Sequence, residues 1–303
     1  MKEIIKIETI SQVHDFLQLP KPNHPLVSVI HPQTHLVNVP LDKSRFVFNL
    51  FQITLKSTFV GNIQYGRNSY DFQEGTMVFT APNQVITFDG AHEDLSEEKG
   101  WTILFHPDLI RNSNLGQHID EYSFFSYESH EALHLSDKEK TALLELVDKL
   151  EQEINRSIDK HSQKLIVTNI ELLLDYCLRY YDRQFYTRTN LNKDTVSKFE
   201  QLLKSYYNTE EQLEQGIPSV KYCGKALSLS PNYLSDLLKK ETGQNAQEHI
   251  HFYVIERAKN KLLNSVGSIS QIAYDLGFEY PQHFSKMFKS KTGMSPTEYR
   301  RLN

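Results

Sequence analysis

"YPQHFSKMFKSKTG", Tyr280 to Gly293, aligns without a gap on "SPNYLSDLLKKETG", Ser230 to Gly243, at a shift of 50. Pro231 meets Pro281, Ser235 meets Ser285, Lys239 meets Lys289, Thr242 meets Thr292 and Gly243 meets Gly293. The apolar sites match in kind: Leu234 with Phe284, Leu237 with Met287, Leu238 with Phe288. Spacings of three and four residues mark one face of a helix. A proline suits the first turn of such a helix, and a glycine its end. Upstream the match continues at a shift of 49: Val220 with Ile269, Cys223 with Ile272, Gly224 with Ala273, Leu227 with Leu276, Leu229 with Phe278. Each copy therefore predicts a helix, a tight turn and a second helix. Glycine inside a helix costs roughly 1 kcal/mol against alanine, so Gly224 implies a place where two helices approach closely.

In each copy the second helix buries its Leu, Phe and Met stripe. It leaves Asn232, Ser235 and Asp236, or Gln282, Ser285 and Lys286, facing outward. This is the pattern of a helix-turn-helix, whose second helix fits a DNA major groove. Asn and Gln bond adenine through two atoms, Lys reaches the guanine acceptors, and Ser serves either. Lys239, Lys240, Lys289 and Lys291 sit further along, where contacts to phosphates are expected. Charge points the same way. From Ile217 to Asn303 there are 12 Lys and Arg against 7 Asp and Glu, a net +5 in a chain of net −5. A basic tail on an acidic body points to a polyanion partner. The competing reading is a plain helical bundle with solvated polar faces. Two copies, joined by "NAQEHIHFYVIERAKNKLLNS" in the basic part of the chain, weigh against it.

The first third of the chain has a different period. "SRFVFNLFQITLKSTFVGNIQYG" and "GTMVFTAPNQVITFDG" are rich in β-branched and aromatic residues and broken by Gly, Asn, Pro and Asp. Several short strands at close spacing predict a barrel or sandwich from about Leu26 to Phe105, with Trp101 to Phe105 its last strand. A helix is expected after Ser136, which with Glu139 forms a capping box, and a second from about Ser162 to Tyr181. The apolar arc of the second is wider than a one-sided surface helix needs. The pair is expected to pack on itself, on the barrel and on a second copy of the chain. "YTRTNLNKD", Tyr186 to Asp194, is polar and reads as a linker; "EEQLEQGIP" reads as a further loop. The expectation is an α+β chain with a β-rich domain and its dimerisation helices over 1–185, a linker over 186–195 and an all-α domain over 196–303.

Other function classes find little support. Two cysteines, Cys177 and Cys223, far apart in apolar patterns, fit core residues in a reducing compartment. "MKEIIKIETISQ" lacks the apolar core of a secretory signal, and no stretch reaches the roughly 20 apolar residues that span a bilayer. The cytoplasm is the expectation, with no cofactor. No nucleophile elbow, phosphate loop or dinucleotide fingerprint is present. His31 and His35 do not have the spacing of a His-x-His strand pair, which would set two neighbouring rings on one sheet face, and His92 and Glu93 sit in a charged stretch, so a metal site is not expected. Phe46, Phe48, Phe59, Tyr65, Phe79 and Phe88 are candidates to line a ligand pocket, or simply to fill a small barrel.

From Ile217 to Leu302 the sequence resembles the DNA-binding domain of the AraC/XylS family of bacterial transcription regulators. "LSPNYLSDLLKKETG", "ERAKNKLL" and "SISQIAYDLGFEYPQHFSKMFKSKTGMSPTEYRR" carry the resemblance. It implies two recognition helices entering successive major-groove segments of promoter DNA, about one helical turn or ~34 Å apart. It also implies an N-terminal cupin-like barrel with dimerisation helices, hence a homodimer. A small-molecule effector, and RNA polymerase if the protein activates, are the further partners. Asp236 departs from the family, which often carries a basic or amide side chain there. Two alternatives are a cupin-type metalloenzyme with a helical appendage and an interaction module that lost DNA binding.

Overall fold

The computed structural model describes residues 4–31, 45–56, 64–65, 68–69, 75–87, 100–128, 131–265 and 267–301. Phe59, Phe88, His35, His92 and Glu93 lie outside them. The chain divides into two units, Met1–Gln184 and Phe185–Asn303.

The first unit opens with Ile4–Ile7 (β1) and Ile10–Phe16 (α1), followed by Val27–Ile30 (β2), Arg45–Phe48 (β3), Phe51–Lys56 (β4), Gln64–Tyr65 (β5) and Asn68–Ser69 (β6). Thr76–Thr80 (β7), Val85–Thr87 (β8) and Gly100–Phe105 (β9) continue it. Two short helices, Pro107–Ile110 (α2) and Asn114–His118 (α3), then Leu133–His134 (β10), lead to Asp137–Ile154 (α4) and Ser162–Thr187 (α5). The strands form a five-stranded sheet, β10-β7-β4-β9-β2, a three-stranded sheet, β1-β3-β8, and the pair β5-β6. Among the described residues these sheets do not close into a barrel.

Side chains alternate across a strand, so register sorts them into two faces. Ile53 lies opposite Phe79 and Ile103, and Leu55 opposite Met77 and Trp101. This face is buried and takes the helices: the Cys177 thiol meets Met77 sulfur at 3.9 Å, and the Phe79 ring meets Phe124 and Tyr181. The opposite face carries Gln52, Thr54, Thr80 and Thr102, all half-buried, and Leu104. Leu104 joins Phe46, Ile7, Ile10, Val13 and Leu50 in a second core under α1. Of the pocket candidates, Phe46 and Phe48 stack on each other at 6.0 Å, whereas Phe79 points to the helices.

α4 begins at Ser136 with the expected capping box. Glu139 serves twice, because its two carboxylate oxygens also accept from the Arg183 guanidinium of α5 at 3.1 and 2.8 Å. That forked, partly buried pair fastens the start of α4 to α5.

The second unit is helical: Thr189–Asn208 (α6), Gln212–Gln215 (α7), Val220–Leu227 (α8), Pro231–Thr242 (α9), Ala246–Asn264 (α10), Ile269–Asp275 (α11), Pro281–Thr292 (α12) and Pro296–Arg300 (α13). Two expectations change. Residues 186–195 are helical apart from Arg188, because the corner between α5 and α6 is closed by a buried amide: Asn192 Nδ2 donates to the Phe185 carbonyl at 2.7 Å. The loop at 210–218 contains α7, whose Gln212 amide donates to the Asp275 carbonyl at 3.3 Å. One core joins both repeats, with Leu234 and Leu238 from the first, Phe284 and Phe288 from the second, and Ile250, Val254, Ala258 and Leu262 of α10 between them. No described helix is long and apolar enough to cross a membrane.

Candidate nucleic-acid interface

The two repeats terminate their second helices in the same way. Gly243 and Gly293 both adopt φ of 80°, the left-handed conformation that glycine enters without strain. One residue earlier, Thr242 and Thr292 donate to the carbonyls of Leu238 and Phe288 at 2.7 and 2.8 Å. Lys239 and Lys240, or Lys289 and Lys291, lie in each last turn, where positive charge offsets the helix dipole.

The turns differ by one residue. α8 ends at Ser228 in the left-handed region, and Gly277 takes that place after α11 at φ 90°. A Cβ at Gly277 would meet Gly216 carbonyl carbon at 2.8 Å and Ile217 nitrogen at 3.0 Å, so backbone passes backbone there. The second copy then inserts Glu279 before its proline. In the first copy Ser230, buried, caps α9 by accepting from Tyr233 N at 3.2 Å; Tyr280 gives α12 no such cap. Gly224 sits in a close approach, as expected, though its neighbour is the turn: an added Cβ would lie 2.6 Å from Leu229 oxygen.

These helices present the predicted side chains outward. Asn232, Lys239 and Lys240 of α9 are exposed, and so are Gln282, Lys286, Lys289 and Lys291 of α12; Ser235, Asp236 and Ser285 are half-buried. Each set lies on one short helix, opposite the shared core. Ser285 Oγ donates to the Pro281 carbonyl at 3.1 Å, so toward a ligand it acts as an acceptor, suited to a base amino group. His283, exposed beside Gln282, is a further polar group on the α12 surface. Its position one residue after Gln282, in the helix's first turn, was the available signal.

Behind the surface the unit is tied by buried phenols. Tyr206 OH donates to Gly216 oxygen at 2.8 Å and Tyr207 OH to Leu276 oxygen at 3.2 Å, fixing the segments that flank the second turn. Burial pushes the Tyr207 hydroxyl's pKa well up, and the Cys223 thiol, also chiefly through burial, up to about 11, so both stay protonated and structural. His249 of α10 contacts Thr242 Oγ at 2.6 Å, and burial lowers its pKa. In the first unit His31 Nε2 contacts Glu151 at 2.7 Å.

Comparison with known domain families gives the same region. A helix-turn-helix domain family matches residues 223–302. The transcriptional regulatory protein YesN of Bacillus subtilis is 36% identical over 86 residues, 27% of this chain and 23% of YesN. The transcriptional activator RhaR of Escherichia coli is 28% identical over 133 residues, 44% of this chain and 46% of RhaR. The chain thus spans less than half the length of either relative. A crystal structure of the C-terminal domain of the response regulator yesN from Fusobacterium nucleatum is 28% identical, covering 33% of this chain and 96% of that one, with a TM-score of 0.30.

Proposed function

From a C-terminal unit that belongs to the AraC/XylS family of helix-turn-helix regulators, we propose that this protein is a sequence-specific, DNA-binding transcription regulator acting in the cytoplasm. One observation carries the reading: two copies of the same helix pair hang on one core and turn Asn232, Gln282, Lys286 and their lysine neighbours to solvent. Gln282, Lys286, Ser285, Asn232, Ser235 and Asp236 read base edges, and Lys239, Lys240, Lys289 and Lys291 hold phosphates. Selection of bound fragments from random DNA by the purified protein tests this. A recurrent motif supports it, and recovery of unenriched sequence removes it.

The first unit serves as a cupin-like regulatory and dimerisation domain over 1–185. Support for pairing comes from Leu165 and Leu172, exposed and seven residues apart on α5, and from Leu144 on α4. A small polar effector fits the face of the five-stranded sheet that bears Gln52, Thr54, Thr80 and Thr102. Thr54 and Thr102 hydroxyls lie 3.2 Å apart there, and Gln52 Nε2 is buried without a hydrogen-bond partner among the described residues. Effector control then requires tighter binding to one of two states of the regulator. Where the protein activates, RNA polymerase is its further partner.

A further inference from the structure

The two recognition helices differ along one flank. Tyr233 and Glu241 stand two turns apart on α9, and at the shift of 50 their counterparts on α12 are His283 and Lys291. His283 and Lys291 are exposed. Tyr233 is only 6% exposed, and its ring meets that of Phe185, 3% exposed, at 5.1 Å between centroids. Glu241 is engaged as well: its Oε1 accepts from Asn192 Nδ2 at 3.0 Å. That nitrogen also donates to the Phe185 carbonyl at 2.7 Å, and Asn192 is 3% exposed. Both protons of one buried amide are thus directed. One closes the corner between α5 and α6, and the other reaches the last turn of α9. The aromatic contact holds the first turn of α9, and the amide its last, so rotation of this helix about its axis is opposed at both ends.

We infer that Phe185 and Asn192 are positioning residues for the first recognition helix alone: the α5–α6 corner sets how α9 lies in its groove, while among the described residues α12 has no such brace on the matching flank. The inference rests on the DNA-binding reading and assigns a role to residues that touch no DNA. A hydrogen bond to a carboxylate is stronger than one between neutral groups, and its loss leaves a buried amide unsatisfied.

The test uses the full chain and a DNA fragment that it selects. Hydroxyl-radical protection by Lys239→Ala and by Lys289→Ala first marks which protected segment belongs to α9 and which to α12. Glu241→Ala and Glu241→Gln are then compared. They carry the same net charge, but only glutamine keeps an oxygen for Asn192 to bond. Glu241→Ala is expected to bind about tenfold more weakly, the scale of one lost hydrogen bond to a charged group, with protection weakened at the α9 segment only. Glu241→Gln, which keeps the bond in its weaker neutral form, is expected to lose clearly less than the alanine variant, about threefold at most. Asn192→Ala should repeat the alanine result if it folds; the Glu241 pair decides the matter either way, since Glu241 lies near the helix surface. Equal behaviour of Glu241→Ala and Glu241→Gln, or equal weakening at both segments, overturns the brace. If the parent protein selects no DNA, the underlying reading fails first, and that result is distinct from both.

Discussion

Gln282 and Lys289 lie two turns apart on one exposed helix, yet the physical chemistry assigns them different work. Gln282→Ala should lower affinity and relax preference at a few base pairs, by about 1–3 kcal/mol for a lost two-atom contact. Lys289→Ala should weaken binding to all sequences and flatten the salt dependence by about one unit, as seen in titrations at several salt concentrations. A change of base preference alone on losing Lys289 contradicts the assignment. His249 gives a pH prediction. Burial lowers its folded pKa below the ordinary 6.5, so the unfolded chain takes up a proton first as pH falls. Stability should therefore hold above pH 6.5 and decline as pH drops from there toward the folded value. Thermal melts from pH 7.5 to 5 should show this decline, reduced in His249→Gln; an unchanged slope in that variant removes His249 as a source. Much at this scale was legible in the sequence. Thr242 and Thr292, matched by alignment, make the same bond, and the paired glycines share one φ. Asn192 was not legible, because a polar residue in a polar stretch gives no sign that its amide closes a buried corner.

At the scale of the element, a single inserted residue separates the two repeats. Ser230 caps α9, while Glu279 shifts Tyr280 into the equivalent place before α12 without a cap. Ser230→Ala should cost about 1 kcal/mol of stability in denaturant unfolding. Tyr280→Ala should cost nothing through capping, so equal losses would contradict the account. The helices themselves were legible from apolar spacing, proline and glycine. The strands were legible as strands, but their faces were not, since alternation leaves open which side is covered. Register resolves it: Phe79 goes to the helices, and the threonines go to the other face. α7 was missed because a helix of one turn, Gln212–Gln215, carries no apolar period to read.

For the whole molecule, the repeat and its charge asymmetry made the second unit readable, since each copy checks the other. The first unit has no internal copy, and its strand pattern led to the expectation of a barrel, whereas the described strands form separate sheets. Pairing through α4 and α5 predicts a dimer in sedimentation of the full chain at micromolar concentration. Leu172→Lys, at an exposed site, should shift it toward monomer without unfolding it. A parent protein that sediments as a strict monomer removes that role. The central claim is that both repeats touch one duplex at once, and hydroxyl-radical footprinting on a selected fragment measures it most directly. Two protected segments on one face of the helix, about one turn or ~34 Å apart for each protomer, are predicted. Protection of a single segment, or of segments on opposite faces, would contradict it.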